Sequence, residues 1–251
     1  MAIKGGIPLY LYASEHGRGH RSRLVALSEQ RPGKDLWRLP RQDDLQGVLL
    51  VDCLDKQDEE SLLARNEIVG QAQEAGHLVV EINDYGISSP ADVVVNYAHP
   101  ENRILGKKRI ALQGPNYFPM SNRFKRTTNG EGNQVTIIPG SGGMFGAIED
   151  SLYAIGVSPN VLKDLEPEVY AVKLGMADVL ICPPSVSAWE GICLGKLVFL
   201  IQTAENQKMS YDTLIKLGLA LPYSDGHFID DVKDSGLRKT LAERCRKIVD
   251  G

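Results

Sequence analysis

His20 stands in Gly17-Arg18-Gly19-His20-Arg21-Ser22-Arg23, directly behind an aromatic and aliphatic run at residues 7–13. A histidine at the mouth of a first strand-to-helix turn is placed to act as a general base, since neutral imidazole is available near pH 7. Gly17 and Gly19 would let the backbone approach a ligand, and the helix-start N–H groups favour an anion. A tight turn with charged surface residues, and a purely structural histidine, remain alternative readings. His16 lies four residues earlier, but the pair is not HExxH and no metal site is read. Neither GxGxxG nor a P-loop lysine is present.

A second set of polar residues follows a later apolar run: Ser185, Ser187 and Glu190, then Ala204-Glu205-Asn206-Gln207. Both clusters would lie at the carboxyl ends of the strands, the edge where open α/β sheets collect ligands. Ser187-x-x-Glu190 equally spells a capping box, so a purely helical role for Glu190 stays open. Three further turns follow apolar runs. Asn83-Asp84-Tyr85-Gly86 is a ligand turn or an Asx turn. Gly114-Pro115-Asn116-Tyr117 closes another run. Pro139-Gly140-Ser141-Gly142-Gly143 is glycine-rich and suited to phosphate, although such turns also arise for conformational reasons alone.

The elements that must position these groups alternate between strand and helix. Apolar runs predict strands at 7–13, 47–52, 78–82, 92–96, 109–112, 135–138, 178–182 and 197–201. Helical spacing marks the run through Leu24, Ala26 and Leu27, residues 59–75 with Gly76 as stop, and 161–174. It also marks a helix from Ser185 or Ser187 to Gly195, one opened at Ala204 and continued by 212–217, and a terminal helix over 232–249. Residues 150–157 are ambiguous, with a short strand expected at 152–155. The alternation predicts an α/β protein with right-handed crossovers and ligands at the carboxyl ends of the strands. The polar tract 123–134 divides it into an N-terminal domain, 1–125, and a C-terminal domain, 134–251. Both are expected to be Rossmann-like, with their strand ends on a shared cleft.

The 251 residues carry 28 basic and 32 acidic side chains, a formal charge of −4, which argues against a nucleic-acid surface. No apolar run approaches the roughly 18 residues of a membrane span and no signal peptide is seen, so a cytoplasmic location is expected. Cys53, Cys182, Cys193 and Cys245 show no CxxC spacing. Cys182 and Cys193 lie in apolar contexts and read as buried free thiols.

Taken in order, these motifs resemble the UDP-sugar hydrolases of the pseudaminic acid pathway and the related spore-coat polysaccharide proteins. More distantly they are similar to the GlcNAc transferase of peptidoglycan synthesis. The likeness rests on the family's GxGHxxR at Gly17–Arg23, its aspartate-aromatic-glycine turn at Asp84-Tyr85-Gly86 and its GPxY at Gly114-Pro115-Asn116-Tyr117. It continues with MAD at Met176-Ala177-Asp178, SxWE at Ser187-Ala188-Trp189-Glu190, LG at Leu194-Gly195, and AENQ at Ala204–Gln207. The resemblance implies a GT-B fold, polysaccharide biosynthesis and a UDP-sugar as the favoured nucleotide-sugar partner, with no cofactor and no metal. It makes His20 the base that activates water or an acceptor hydroxyl at the anomeric carbon, with Tyr85 the other catalytic candidate. Gly17, Gly19, Arg23, Asp84, Tyr117, Ser141, Gly142, Ser185, Ser187, Glu190, Glu205, Asn206 and Gln207 become its substrate contacts. Among them, Glu190 would hold the ribose hydroxyls, Asn206 would lie beside the sugar, and Gln207 near sugar or diphosphate. Hydrolysis is the leading expectation, transfer to a hydroxyl acceptor the alternative, and non-catalytic nucleotide-sugar binding a further one. The chain departs from the family at Pro183-Pro184-Ser185 in place of Gly-Gly-Ser, at Met120-Ser121-Asn122-Arg123-Phe124, and at Gly140–Gly143, which lacks the aspartate. The span 143–176 is also short, so the second lobe is expected to be reduced.

Overall fold

The structure, a computed structural model, describes residues 8–13, 18–29, 35–36, 38–41, 44, 46–52, 59–83, 88–98, 110–126, 134–140, 145–224 and 227–248. The chain divides into two compact units, Met1–Ser121 and Asn122–Gly251.

In the first unit the described strands are β1 (Leu9–Ala13), β2 (Asp35–Leu36), β3 (Val48–Asp52), β4 (Leu78–Ile82), β5 (Val93–Asn96) and β6 (Ile110–Gln113). They form one parallel sheet in the order β2-β1-β3-β4-β5-β6. Helices α1 (Arg18–Ser28) and α2 (Glu59–Glu74) make crossovers. Burial on both faces explains why the strands read as apolar runs rather than alternating ones. Tyr10, Leu49, Val51, Val79 and Val94 close on Val69 and Ala72 of α2. That helix stops where Gly76 adopts φ +82°, and the Gly76 and His77 N–H groups return to the Gln73 and Ala72 carbonyls, a Schellman end. A buried ion pair ties the same helix to the sheet: Arg65 Nη1 donates to Glu81 Oε1 at 2.7 Å, and the Ser89 hydroxyl donates to Glu81 Oε2. Burial pushes the Glu81 carboxyl up, against the pull of Arg65.

The chain leaves β1 for β2 on one side and returns to β3 on the other. The carboxyl ends of β1 and β3 therefore flank the point where strand order reverses, the crevice in which open α/β sheets bind ligands. The register sets Ala13 beside Asp52 at that end.

The second unit contains β7 (Val135–Ile137), α3 (Phe145–Ala154), β8 (Asn160–Val161), α4 (Pro167–Met176), β9 (Val179–Cys182) and α5 (Val186–Cys193). It continues with β10 (Leu197–Leu200), α6 (Lys208–Lys216), β11 (Leu221–Pro222), α7 (Phe228–Lys233) and α8 (Ser235–Ile248). Its sheet is also parallel, ordered β11-β10-β9-β7-β8, one strand narrower than the first among the described residues. The reversal point here lies between β7 and β9. The core joins Ile137, Ile181 and Phe199 of the sheet to Ile148 and Leu152 of α3 and Phe228 of α7. The short helix Asn122–Arg126 groups with this unit, where Phe124 packs edge-on against Tyr170.

Four sequence expectations are corrected. Residues 152–155 are no strand: Phe145, Ile148 and Leu152 recur at helical spacing and are buried along α3. The helix expected over 161–174 starts at Pro167, whose fixed φ suits a first turn; Asn160–Val161 pairs with β7 instead. The terminal helix is broken at Asp234, whose carboxylate accepts the Leu237 N–H at 2.9 Å and caps α8. Residues 205–207 form a 3-10 turn before α6 begins. Cys182 and Cys245 are buried and Cys193 half-buried, whereas Cys53 lies outside the described residues. Among the described residues, no helix is long and apolar enough to cross a membrane.

Candidate functional site

His20 lies in the first turn of α1, which begins two residues earlier, inside the stretch read from sequence as loop. The helix carries it to the carboxyl end of the sheet, where its Nδ1 stands 2.5 Å from Oδ1 of Asp52, the last residue of β3. A carboxylate can only accept, so the Nδ1 proton points to Asp52 and Nε2 keeps its lone pair. Asp52 is 1% exposed, and Arg23, one turn further along α1, grips it from the other side. Arg23 Nε donates to Oδ2 at 2.7 Å and Nη2 to Oδ1 at 2.9 Å, a bidentate fork. The Arg23 Nη1 group donates to the hydroxyl of Tyr97, just beyond β5. Arg23 Nη2 also lies 3.0 Å from His20 Nδ1; with both groups donating to Asp52, this is a close approach of two donors. Two strand ends and one helix thus bring His20, Arg23, Asp52 and Tyr97 together. Chemically this is an oriented imidazole with a fixed tautomer, the arrangement of a general base.

Asp52 and Tyr97 were not singled out from the sequence. Each closes or follows an apolar strand, a position where polar residues face the ligand edge, and that was the available signal. Arg23 is buried with its guanidinium turned to Asp52.

In the second unit, β9 ends at Cys182, and Pro183-Pro184 carry the chain into α5 with Ser185 at the N-cap position. The Ser185 side chain does not cap the helix through a hydrogen bond. Ser187 sits inside the helix, so the Ser187–Glu190 capping box does not form. Glu190 accepts instead from the Tyr170 hydroxyl of α4 at 2.9 Å, and Ser187 also bonds that hydroxyl. Burial pushes the Glu190 carboxyl up to about 7, against the pull of the Tyr170 hydrogen bond and of Arg123. Burial likewise raises the Tyr170 phenol, helped by the Glu190 charge, and pushes the Cys182 thiol up. At the reversal point the two loops touch: a Cβ on Gly140 would stand 3.0 Å from Pro183 Cγ and 3.6 Å from Thr203 Oγ1.

Gln207 turns its amide oxygen onto its own turn, accepting from Thr203 N at 2.8 Å and Ala204 N at 3.2 Å. That is half a capping box, because alanine has no acceptor to return. Glu205 is exposed and Asn206 shares its turn, but the Asn206 side chain lies outside the described part. Tyr117 ends a 3-10 turn behind Gly114 and is 43% exposed. Gly19 is the second residue of α1. Gly17, Asp84, Tyr85, Ser141 and Gly142 lie outside the described residues. Among the described residues, no group of three or more histidine, cysteine, aspartate or glutamate side chains could hold a metal ion.

The architecture has solved counterparts. The glycotransferase of kitacinnamycin superposes with a TM-score of 0.59 at 12% identity, covering 96% of this chain and 93% of that one. Arabidopsis thaliana UGT89C1 complexed with UDP-L-rhamnose gives 0.59 at 12% identity, over 96% and 94%. MurG of Acinetobacter baumannii gives 0.51 at 12% identity, over 97% and 95%. The fold is of the GT-B type. No protein-family model matches the chain, and no curated protein matches it in sequence. At such identities the likeness concerns fold alone; the particular hydrolase and spore-coat families resembled by the motifs gain no support from it.

Proposed function

We propose that the protein is a glycosyltransferase that takes a nucleotide-activated sugar, a UDP-sugar in the first instance, and passes the sugar to a hydroxyl acceptor. The observation that carries this is the 2.5 Å contact of His20 Nδ1 with Asp52 at the first reversal point. It leaves Nε2 able to take a proton from the attacking hydroxyl while Asp52 stabilises the imidazolium that forms. The second unit is assigned the nucleotide. The N–H groups at the head of α5 are not used by the helix itself and favour a diphosphate, the leaving group. Glu190, once ionised, accepts from the ribose hydroxyls.

The fold supports the reading, since UGT89C1, complexed with UDP-L-rhamnose, and the glycotransferase of kitacinnamycin share it. Transfer is preferred to the hydrolysis implied by the motif resemblance for that reason. The test is incubation with a panel of UDP-sugars, with and without phenolic and sugar hydroxyl acceptors, following release of the nucleoside diphosphate. Release that depends on acceptor is expected. Fast release of free sugar without any acceptor would assign hydrolysis instead, and nucleotide binding without turnover would make the chain a non-catalytic sugar-nucleotide binder.

A further inference from the structure

We propose that the outer face of α4 is a self-association surface, against which α4 of a second copy of this chain packs in parallel about a two-fold axis. The inner side of the helix is accounted for, since Ala171, Leu174 and Gly175 are buried against its own unit. Its outer side, where a surface helix ordinarily carries polar residues, is apolar instead. Val169, Val172 and Met176 recur there at helical spacing and are 45–55% exposed, and Val161 of the edge strand β8 is 41% exposed. A groove of about 490 Å³ separates this helix from β8, bounded by Leu162, Val169, Val172 and Met176, with Glu168 and Lys173 also on its walls. A contiguous exposed apolar strip rimmed by charge marks an interaction face.

The charges name the occupant. At 3.6 residues per turn, Glu168 and Lys173 stand on opposite flanks of the strip, each about 70° from its middle. Neither makes an ion pair among the described residues. Two such faces brought together in parallel set the acidic flank of each against the basic flank of the other. Coiled coils use the same pairing of flanking charges to fix partner and orientation. An antiparallel approach would set acid on acid and base on base. The face is therefore complementary to itself, and the two-fold repeats the contact. Strand β8 has two residues, too few to seat a foreign strand. Glu166 and Glu168 at the head of the helix oppose an anionic lipid surface. The helix has ten residues, so the strip is short against the roughly 800 Å² per partner of a standard interface, and the association is weak.

Sedimentation velocity on the whole protein tests this. The parent is expected to be a monomer near 1 µM and largely a dimer on approaching about 1 mM. Val172→Asp, at an exposed position, should abolish the dimer across that range with no change in melting temperature. Glu168→Lys and Lys173→Glu should each weaken association by about tenfold or more, because like charges then face each other at both contacts. An equimolar mixture of these two variants should associate as the parent does, since every facing pair is again of opposite sign. A parent that stays monomeric throughout overturns the proposal, as does a dimer that Val172→Asp leaves intact. Charge variants that gain nothing from being mixed overturn it too, and would assign the face to a different protein. The readout is mass in solution, so it stands whether or not glycosyl transfer is found.

Discussion

The Tyr170 hydroxyl of α4 donates to Glu190 Oε2 of α5 at 2.9 Å, joining two helices through a carboxyl group that burial holds at about 7. The folded value lies above the 4.5 of a free glutamate, so between those limits the folded protein keeps a proton that the unfolded chain has released. The contribution is fully favourable below about 4.5 and is lost as pH rises through about 7. Glu190→Gln keeps an acceptor for Tyr170 and cannot ionise. Its melting temperature should match the parent near pH 4.5 and exceed it by several degrees at pH 8. Thermal melts at the two pH values decide it; an offset that does not change with pH would detach Glu190 from the effect.

Binding should follow the opposite trend. An ionised Glu190 accepts two hydroxyl donors, so UDP affinity should increase as pH rises from about 6 to 8 in the parent and stay flat in Glu190→Gln. Calorimetric titration with UDP at three pH values would show whether the slope belongs to this residue.

Removing the imidazole should separate chemistry from binding. His20→Ala is expected to lower turnover by about 10²-fold or more with UDP affinity within about twofold of the parent. Asp52→Asn should lower turnover in the same direction, because the ring loses its tautomer-fixing partner. Unchanged turnover in His20→Ala would remove it from the mechanism.

Helix α5 leaves no room on its sheet-facing side. A Cβ on Gly191 would meet Leu180 Cδ2 at 2.6 Å and Val198 Cγ2 at 3.3 Å. Gly191→Ala should therefore destabilise the second unit by about 1–3 kcal/mol, outweighing the gain of up to about 1 kcal/mol that alanine brings to a helix. Urea denaturation gives the sign directly.

The Arg65–Glu81 pair should behave as a unit. Both side chains are at most 2% exposed, so Arg65→Met alone strands a carboxylate in the core and should cost about 3–5 kcal/mol. Pairing it with Glu81→Leu should recover most of that loss, and a denaturation-based double-mutant cycle measures the coupling.

The strands were legible because a parallel sheet buries both faces, and runs such as Val179–Cys182 and Leu197–Leu200 leave no other reading. Helix ends were legible where glycine marks them. Gly195, at φ +70°, closes α5 with the Gly195 and Lys196 N–H groups returned to the Ile192 and Gly191 carbonyls. The two-residue strands Asp35–Leu36 and Leu221–Pro222 were not read, since two residues carry no periodicity. At the site, His20 and Glu190 could be singled out because their surroundings in sequence are distinctive. Their partners could not: Asp52 is 32 residues from His20, and Tyr170 is 20 from Glu190. Those pairings follow from which strands and helices become neighbours, a property of topology that no local pattern encodes.

The short outer strands of the second sheet bear on how the protein behaves in crowded solution. Strand β11 offers two residues, one of them Pro222, which has no N–H to extend a ladder, and β8 on the opposite margin is equally brief. Neither margin gives a foreign strand enough footing to lengthen the sheet, so concentrated preparations should resist fibril growth through these borders.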